Sequence, residues 1–151
     1  MKFKKMLTVL FTSVLLLTFS SSTSAMPGVA DTQETALTYF PGQFYSLYLS
    51  SDSSDKDWFK WTNNTGKNQF AEAWAAFEGG DPNKFRLGYR IDYGNGRQSD
   101  LVYLSKDGNG NSIALQYLYV PQGATLYVVV DHEKNAIAES QYRFFCFFED
   151  V

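Results

Sequence analysis

The chain has 151 residues, of which 44% are hydrophobic, 17% aromatic and 19% charged. This is the length of one domain, and the composition excludes a large multidomain enzyme, a collagen-like fibre and a low-complexity tail. The formal net charge is −3, and the basic residues are scattered along the chain, which argues against a nucleic acid as partner.

Residues 1–25 have the pattern of a secretory signal peptide. Three lysines precede an apolar run from Met6 to Phe19, and a stretch rich in Ser and Thr then ends at Ala25. The apolar run is shorter than the roughly 20 residues that a transmembrane helix needs. We therefore expect cleavage after Ala25, secretion to the extracellular space, and no attachment to a membrane after cleavage.

The chain that remains after this cleavage is more acidic. It keeps ten basic and 16 acidic residues, a net charge of −6. We interpret residues 26–34 as a flexible leader and residues 35–151 as one domain. Cys146 is the only cysteine, so the domain has no internal disulfide, which fits a protein exported by a bacterium. Because Cys146 lies among phenylalanines, we expect a buried, unreactive thiol.

The domain is predicted to consist of β-strands. Runs of aromatic and β-branched residues alternate with clusters of Gly, Asn, Asp and Pro, which favour turns. The predicted strands are 35–40, 43–49, 57–62, 69–77, 85–93, 99–104, 112–120, 124–131 and 141–149. Their lengths and spacing predict an all-β fold, a single antiparallel jelly-roll-like sandwich of eight or nine strands. The segment Phe70–Phe77 also has helical spacing of its aromatic residues, but its neighbours favour a strand.

One segment carries a motif in which an acidic loop leads into an aromatic strand. The strand residues are Asp57, Trp58, Phe59 and Trp61. With the later turn at 121–123 and the aromatic stretch at 142–144, residues 35–149 resemble the bacterial pre-peptidase C-terminal (PPC) domain. The resemblance implies a jelly-roll sandwich of the kind usually appended to secreted proteases and other hydrolases, similar to carbohydrate- and collagen-binding modules. Some members of that family bind calcium. We expect the domain of this chain to stand alone, which argues against a role as an appendage of a protease.

The acidic loop of this motif is a candidate calcium site. Its oxygen ligands would be the carboxylates of Asp52, Asp55 and Asp57, since calcium prefers oxygen ligands. The alternative is a solvated loop in which Asp57 accepts hydrogen bonds from loop amides and holds the turn. A second acidic stretch, Asp107-x-Asn109-x-Asn111, lacks the later ligands of a calcium loop and is interpreted as a turn. Calcium is therefore the one candidate cofactor.

Catalytic motifs are absent from the sequence, which contains no Gly-x-Ser-x-Gly, no phosphate-binding loop and no His-Glu-x-x-His. His132 is the only histidine. We expect a solvent-facing side chain in a polar loop, because the adjacent acids point to other faces and do not build a triad. A non-catalytic protein is thus favoured, and we assign no catalytic residues.

Aromatic residues are the most unusual feature, with 23 among the 126 residues that follow the predicted cleavage site. Several predicted strands carry aromatic side chains on both faces, so either these strands are covered on both sides or one sheet presents an aromatic surface. Exposed rings can stack on sugar rings or peptide side chains. The predicted ligand-binding residues are Trp58, Tyr117 and Tyr119.

These features predict a secreted, non-catalytic binding module for an extracellular polymer, which could be a polysaccharide, the cell wall or a matrix protein. The alternatives are a small secreted hydrolase with paired carboxylates and a secreted protease inhibitor or interaction protein. A hydrolase requires a cleft with two close acids and one raised pKa. A binding module requires an exposed aromatic strip, and an inhibitor requires a protruding ordered loop, for which 79–84 and 105–111 are candidates.

Overall fold

The computed structural model of the chain describes residues 30–78, 81–104, 111–134, 136 and 138–151. The predicted signal peptide, the first residues of the predicted leader and most of the stretch from 105 to 111 lie outside this part. Within the described ranges, no helix combines the length and the apolar character needed to cross a membrane.

The described residues form ten β-strands and one short 3-10 helix. The strands are β1 (Leu37–Thr38), β2 (Phe44–Leu49), β3 (Lys56–Thr62), β4 (Gln69–Glu78), β5 (Phe85–Gly94), β6 (Arg97–Gln98), β7 (Val102–Tyr103), β8 (Ser112–Val120), β9 (Thr125–His132) and β10 (Ser140–Asp150). The 3-10 helix covers Pro82–Lys84. Most predicted strands match within a few residues, but 35–40 and 99–104 contain only the two-residue strands β1 and β7, and β6 was not predicted.

The strands form two sheets that pack face to face. Sheet A has the order β1-β3-β9-β5-β6, with β7 also paired to β5, and sheet B has the order β2-β10-β4-β8. The pairing of β1 with β3 is parallel, and the other pairings are antiparallel. The predicted all-β sandwich is confirmed.

Aromatic rings fill the space between the two sheets. Phe59 of sheet A stacks on Phe144 of sheet B with 4.1 Å between ring centroids, and Phe77 stacks on Phe85 at 4.6 Å. Trp61 also packs against this core. Side chains two apart on a strand share one face, so the predicted core role of Phe59 and Trp61 is confirmed.

Strand β4 shows why an alanine-rich segment with helical spacing is a strand. Three small residues are fully buried on its inner face: Ala71, Ala73 and Ala75. Their period of two is that of a strand, and their small size leaves room for the aromatic rings of neighbouring strands. The residues between them point to the opposite face of sheet B.

The outer face of sheet A is covered by the chain itself. Trp58, Ala36 and Val129 form a second apolar cluster on this face. The backbone carbonyl of Ala30 accepts a hydrogen bond from the amide of Trp58 at 2.9 Å, and Ala30 is itself buried. Sheet A therefore has apolar contacts on both faces, whereas sheet B keeps large apolar side chains exposed on its outer face.

His132 lies at the end of β9 and is buried, so the expectation of a solvent-facing histidine is wrong. Its Nδ1 is 3.2 Å from the carbonyl oxygen of Asp55 and its Nε2 is 2.8 Å from that of Ala138. Both neighbours are hydrogen-bond acceptors, so the ring links two loops from inside the fold.

Cys146 is buried between the sheets, as predicted. Its thiol donates a hydrogen bond to the hydroxyl of Tyr39 at 3.5 Å. Burial raises the pKa of the thiol to about 12, although the contact with Tyr39 acts in the opposite direction. A neutral thiol is a weak nucleophile, which agrees with the predicted lack of reactivity.

Candidate binding face on sheet B

The outer face of sheet B carries a row of aromatic side chains that crosses all four strands. Side chains alternate along each strand, and the pairing register brings the outward positions of neighbouring strands side by side. We call these seven residues the aromatic face: Phe44 on β2, Phe145 and Phe147 on β10, Phe70 and Trp74 on β4, and Tyr117 and Tyr119 on β8.

Neighbouring rings of the aromatic face contact one another across the strands. Phe44 and Phe145 stack with 4.4 Å between centroids and an interplanar angle of 21°. Trp74 lies 5.7 Å from Phe145 and 5.3 Å from Phe147, in both cases at 26°. Near-parallel rings at such separations attract one another. The rings are therefore ordered before any ligand binds.

An irregularity in β8 shapes the other end of the aromatic face. The register between β4 and β8 shifts between Ala71 and Ala73, and Tyr117 has a φ of 52°. A positive φ is unusual for a bulky residue and is typical of a β-bulge. Tyr117 is 68% exposed, and both it and Tyr119 meet the ring of Phe70 edge-on, at 6.5 and 6.2 Å.

The aromatic face includes a depression of about 320 Å³. It is lined by Phe44, Trp74, Ala76, Ser112, Arg143 and Phe145. Arg143 forms an ion pair with Glu78, with 2.9 Å between Nε and Oε1, and both side chains are largely exposed. Such a surface pair adds little stability. The depression offers a place where a flat apolar group can contact several rings at once.

The structure brings together two of the three predicted ligand-binding residues. Tyr117 and Tyr119 both lie on the aromatic face. Trp58 lies on sheet A, in the apolar cluster on that sheet's outer face, and is only 8% exposed. The sequence shows that Trp58 points away from the core, but it does not show that another segment covers it.

Sequence reasoning missed five members of the aromatic face as binding residues, namely Phe44, Phe70, Trp74, Phe145 and Phe147. A signal was present, because the run from Phe144 to Phe148 is apolar on both faces of a strand. Trp74 lies in a segment that was predicted as a strand although its aromatic residues also have helical spacing, so its outward position was not clear. Only the assignment of β2, β4, β8 and β10 to one sheet shows that these rings are neighbours.

The acidic loop before β3 is held by its own carboxylates. Asp52 accepts hydrogen bonds from the amide and the hydroxyl of Ser54, at 2.9 and 2.8 Å. These hydrogen bonds lower the pKa of Asp52. Asp55 is buried and accepts a hydrogen bond from the amide of Ser50 at 2.7 Å. The carboxylates that hold the loop are therefore those of Asp52 and Asp55.

Asp57 has a different role from the one expected, because its side chain points between the sheets with Phe59. It accepts a hydrogen bond from the hydroxyl of Tyr142 on sheet B at 2.5 Å. Burial raises the pKa of Asp57 to about 7; the Tyr142 hydrogen bond opposes this increase, and the charges of Asp55 and Asp31 add to it. Asp57 thus links the two sheets and does not hold the turn.

The described residues include no group of three or more His, Cys, Asp or Glu side chains that could hold a metal ion. The three aspartates of the acidic loop each have hydrogen-bond donors from the protein itself. A calcium site at Asp52, Asp55 and Asp57 stays a prediction, and the second acidic stretch lies almost wholly outside the described residues.

A scan against protein-family models finds no match to this sequence, and a search of curated proteins finds none either. The resemblance to the PPC domain therefore stays a prediction.

Proposed function

We propose that this protein is a secreted, non-catalytic module that binds an extracellular polysaccharide through the aromatic face. The observation that carries this proposal is the row of seven rings across the outer face of sheet B. Adjacent strands lie about 4.8 Å apart, so four strands give the row a length of about 14 Å. A surface of that length can contact several consecutive rings of a sugar chain.

Physical chemistry favours a binding role for these rings over a structural one. Phe44, Tyr117 and Tyr119 are exposed, although burying them would favour folding. Contiguous exposed apolar patches on soluble proteins mark interaction sites. Because the rings already contact one another, little side-chain entropy is lost when a ligand binds. The apolar faces of sugar rings stack on aromatic rings in such sites.

Two observations bear on the alternative functions. The acid with a pKa raised to about 7, Asp57, lies between the sheets and is bonded to Tyr142, so it does not face a surface cleft. Of the candidate inhibitor loops, residues 82–84 form a single turn of 3-10 helix. The resemblance to the PPC domain supports the same class of function, since that family resembles carbohydrate-binding modules.

Co-sedimentation of the purified full chain with insoluble polymers tests the proposal. The polymers are cellulose, chitin, xylan, peptidoglycan and collagen, each with and without added calcium. We expect retention on at least one polysaccharide and a loss of about tenfold in affinity for Trp74→Ala, since stacked rings contribute about 1 kcal/mol or more. Circular dichroism shows whether the variant is folded. Retention on collagen alone would replace polysaccharide by a matrix protein, and retention on none of them would contradict the proposal.

A further inference from the structure

A carboxylate lies within the aromatic face. Glu72 projects outward from β4 between Phe70 and Trp74, and the register places it opposite Phe147 of β10. Only 9% of its surface is exposed. Within the part of the chain that the structure describes, its carboxylate has no ion pair, and its oxygens are not among the buried atoms that lack a hydrogen-bond partner, so they reach the solvent. The side chain is thus packed among aromatic residues, while its carboxylate stays open to a charged ligand.

A second carboxylate lies beside it. Glu149 of β10 pairs with Phe70, while Glu72 pairs with Phe147, so the two acids occupy diagonal positions on the outer face. The Cβ atoms of such diagonal neighbours are about 7 Å apart. Two negative charges at this separation repel each other unless a cation lies between them. The aromatic side chains that flank Glu72 add a second attraction for such a cation, because a cation is attracted to the faces of aromatic rings.

Among the described residues, no basic side chain forms an ion pair with Glu72 or Glu149. Arg143 is the basic residue among the outward positions of β10, and its Nε already contacts Glu78. The chain is also acidic as a whole, with a formal net charge of −3. The charge of the face therefore complements a positively charged ligand.

We infer that Glu72, assisted by Glu149, recognises a protonated amino group, and that the polysaccharide bound by the aromatic face contains amino sugars with unacetylated amino groups. This inference rests on the proposed function. An ammonium group is attracted to the faces of aromatic rings and forms charge-assisted hydrogen bonds with carboxylates. The sugar ring that carries the amino group supplies an apolar surface that packs against the exposed parts of Trp74 and Phe147.

Isothermal titration of the full chain with two soluble oligosaccharides tests the inference. The probes are a tetramer of glucosamine and a tetramer of N-acetylglucosamine, compared at pH 6, where the free amino groups are protonated. We expect the glucosamine tetramer to bind about tenfold more tightly. The preference should disappear in Glu72→Gln and weaken in Glu149→Gln.

The matched control is Glu133→Gln, which removes the same charge from an exposed position after β9. It should keep the preference, because general attraction between an acidic protein and a cationic sugar depends little on any one surface charge. Glu72→Gln should melt no lower than the wild-type protein, since it breaks no ion pair of the described residues and removes the repulsion between Glu72 and Glu149. Glu149 is exposed, so we expect Glu149→Gln to fold. The preference for the glucosamine tetramer can be measured in this variant even if Glu72→Gln does not fold.

Equal affinity for both tetramers, or a preference that is unchanged in Glu72→Gln, would overturn the inference. The proposed function would still be supported if the protein is retained on a polysaccharide. Tighter binding of a lysine tetrapeptide than of the glucosamine tetramer would replace the amino sugar by a basic peptide and overturn the inference. Failure to bind any polysaccharide would contradict both.

Discussion

Asp57 and Glu72 are two acidic side chains that strand alternation places in apolar surroundings. Asp57 points between the sheets and has a partner in Tyr142. Glu72 points outward and, among the described residues, has none. The hydrogen-bond partner determines the role of each acid. Asp57 links the two sheets through Tyr142, whereas the carboxylate of Glu72 on the aromatic face is available to a ligand.

Asp57 should make the stability of the protein depend on pH. Its pKa is about 7 in the folded protein and about 3.9 in the unfolded chain. The folded state therefore binds the proton of Asp57 more tightly than the unfolded chain does. The stabilisation from this proton is fully present below the pKa of Asp57 in the unfolded chain, and it is lost as the pH rises through about 7. We expect the free energy of unfolding to fall between pH 5 and pH 8.

Asp57→Asn should remove most of this dependence, because the amide stays neutral and its oxygen still accepts the Tyr142 hydrogen bond. Urea denaturation at pH 5 and pH 8 measures the effect in both proteins. An equally steep decrease in Asp57→Asn would show that another group is responsible.

At the scale of the strands, the sequence predicts where most strands lie, but it does not predict which segments pack against them. Alternation along β3 predicted that Phe59 and Trp61 lie in the core, and turn residues marked most strand boundaries. Trp58 and Trp74 look equivalent in the sequence, since both are aromatic residues at outward positions of a strand. The residues near Ala30 and Ala36 cover Trp58, and such long-range contacts leave no local pattern.

Tyr103 of β7 packs against sheet A where β5 has a glycine. A Cβ atom at Gly88 would lie 2.9 Å from two ring carbons of Tyr103 and 3.1 Å from Val129. The ring is fixed, because its hydroxyl donates a hydrogen bond to Asp131 at 2.8 Å and the guanidinium of Arg86 lies 3.8 Å from its centroid. Strand β5 therefore requires glycine for close packing at this position.

Gly88→Ala should lower the free energy of unfolding by about 1–3 kcal/mol through overpacking. Chemical denaturation of the variant measures the loss. The same substitution in a Tyr103→Ala background should cost clearly less, because the clash is then removed. An equal cost in both backgrounds would contradict the role of the Tyr103 ring.

At the scale of the whole molecule, the two sheets differ in what covers them. Sheet A has the core on one face and the Trp58 cluster on the other. Sheet B has the same core on its inner face and the aromatic face on the outside. A sequence rich in aromatic residues on both faces of its strands is compatible with either arrangement, so the composition indicated an aromatic surface without showing which strands form it.

The central claim is that the aromatic face, and not aromatic exposure in general, binds the polymer. Two tyrosines allow a matched comparison, because Tyr119 lies on the aromatic face at 44% exposure and Tyr93 lies on β5 of sheet A at 43%. The measurement is the affinity of Tyr119→Ala and Tyr93→Ala for the polysaccharide that retains the wild-type protein. We predict a loss of several-fold or more for Tyr119→Ala and wild-type affinity for Tyr93→Ala. Equal affinities, or a loss confined to Tyr93→Ala, would contradict the claim.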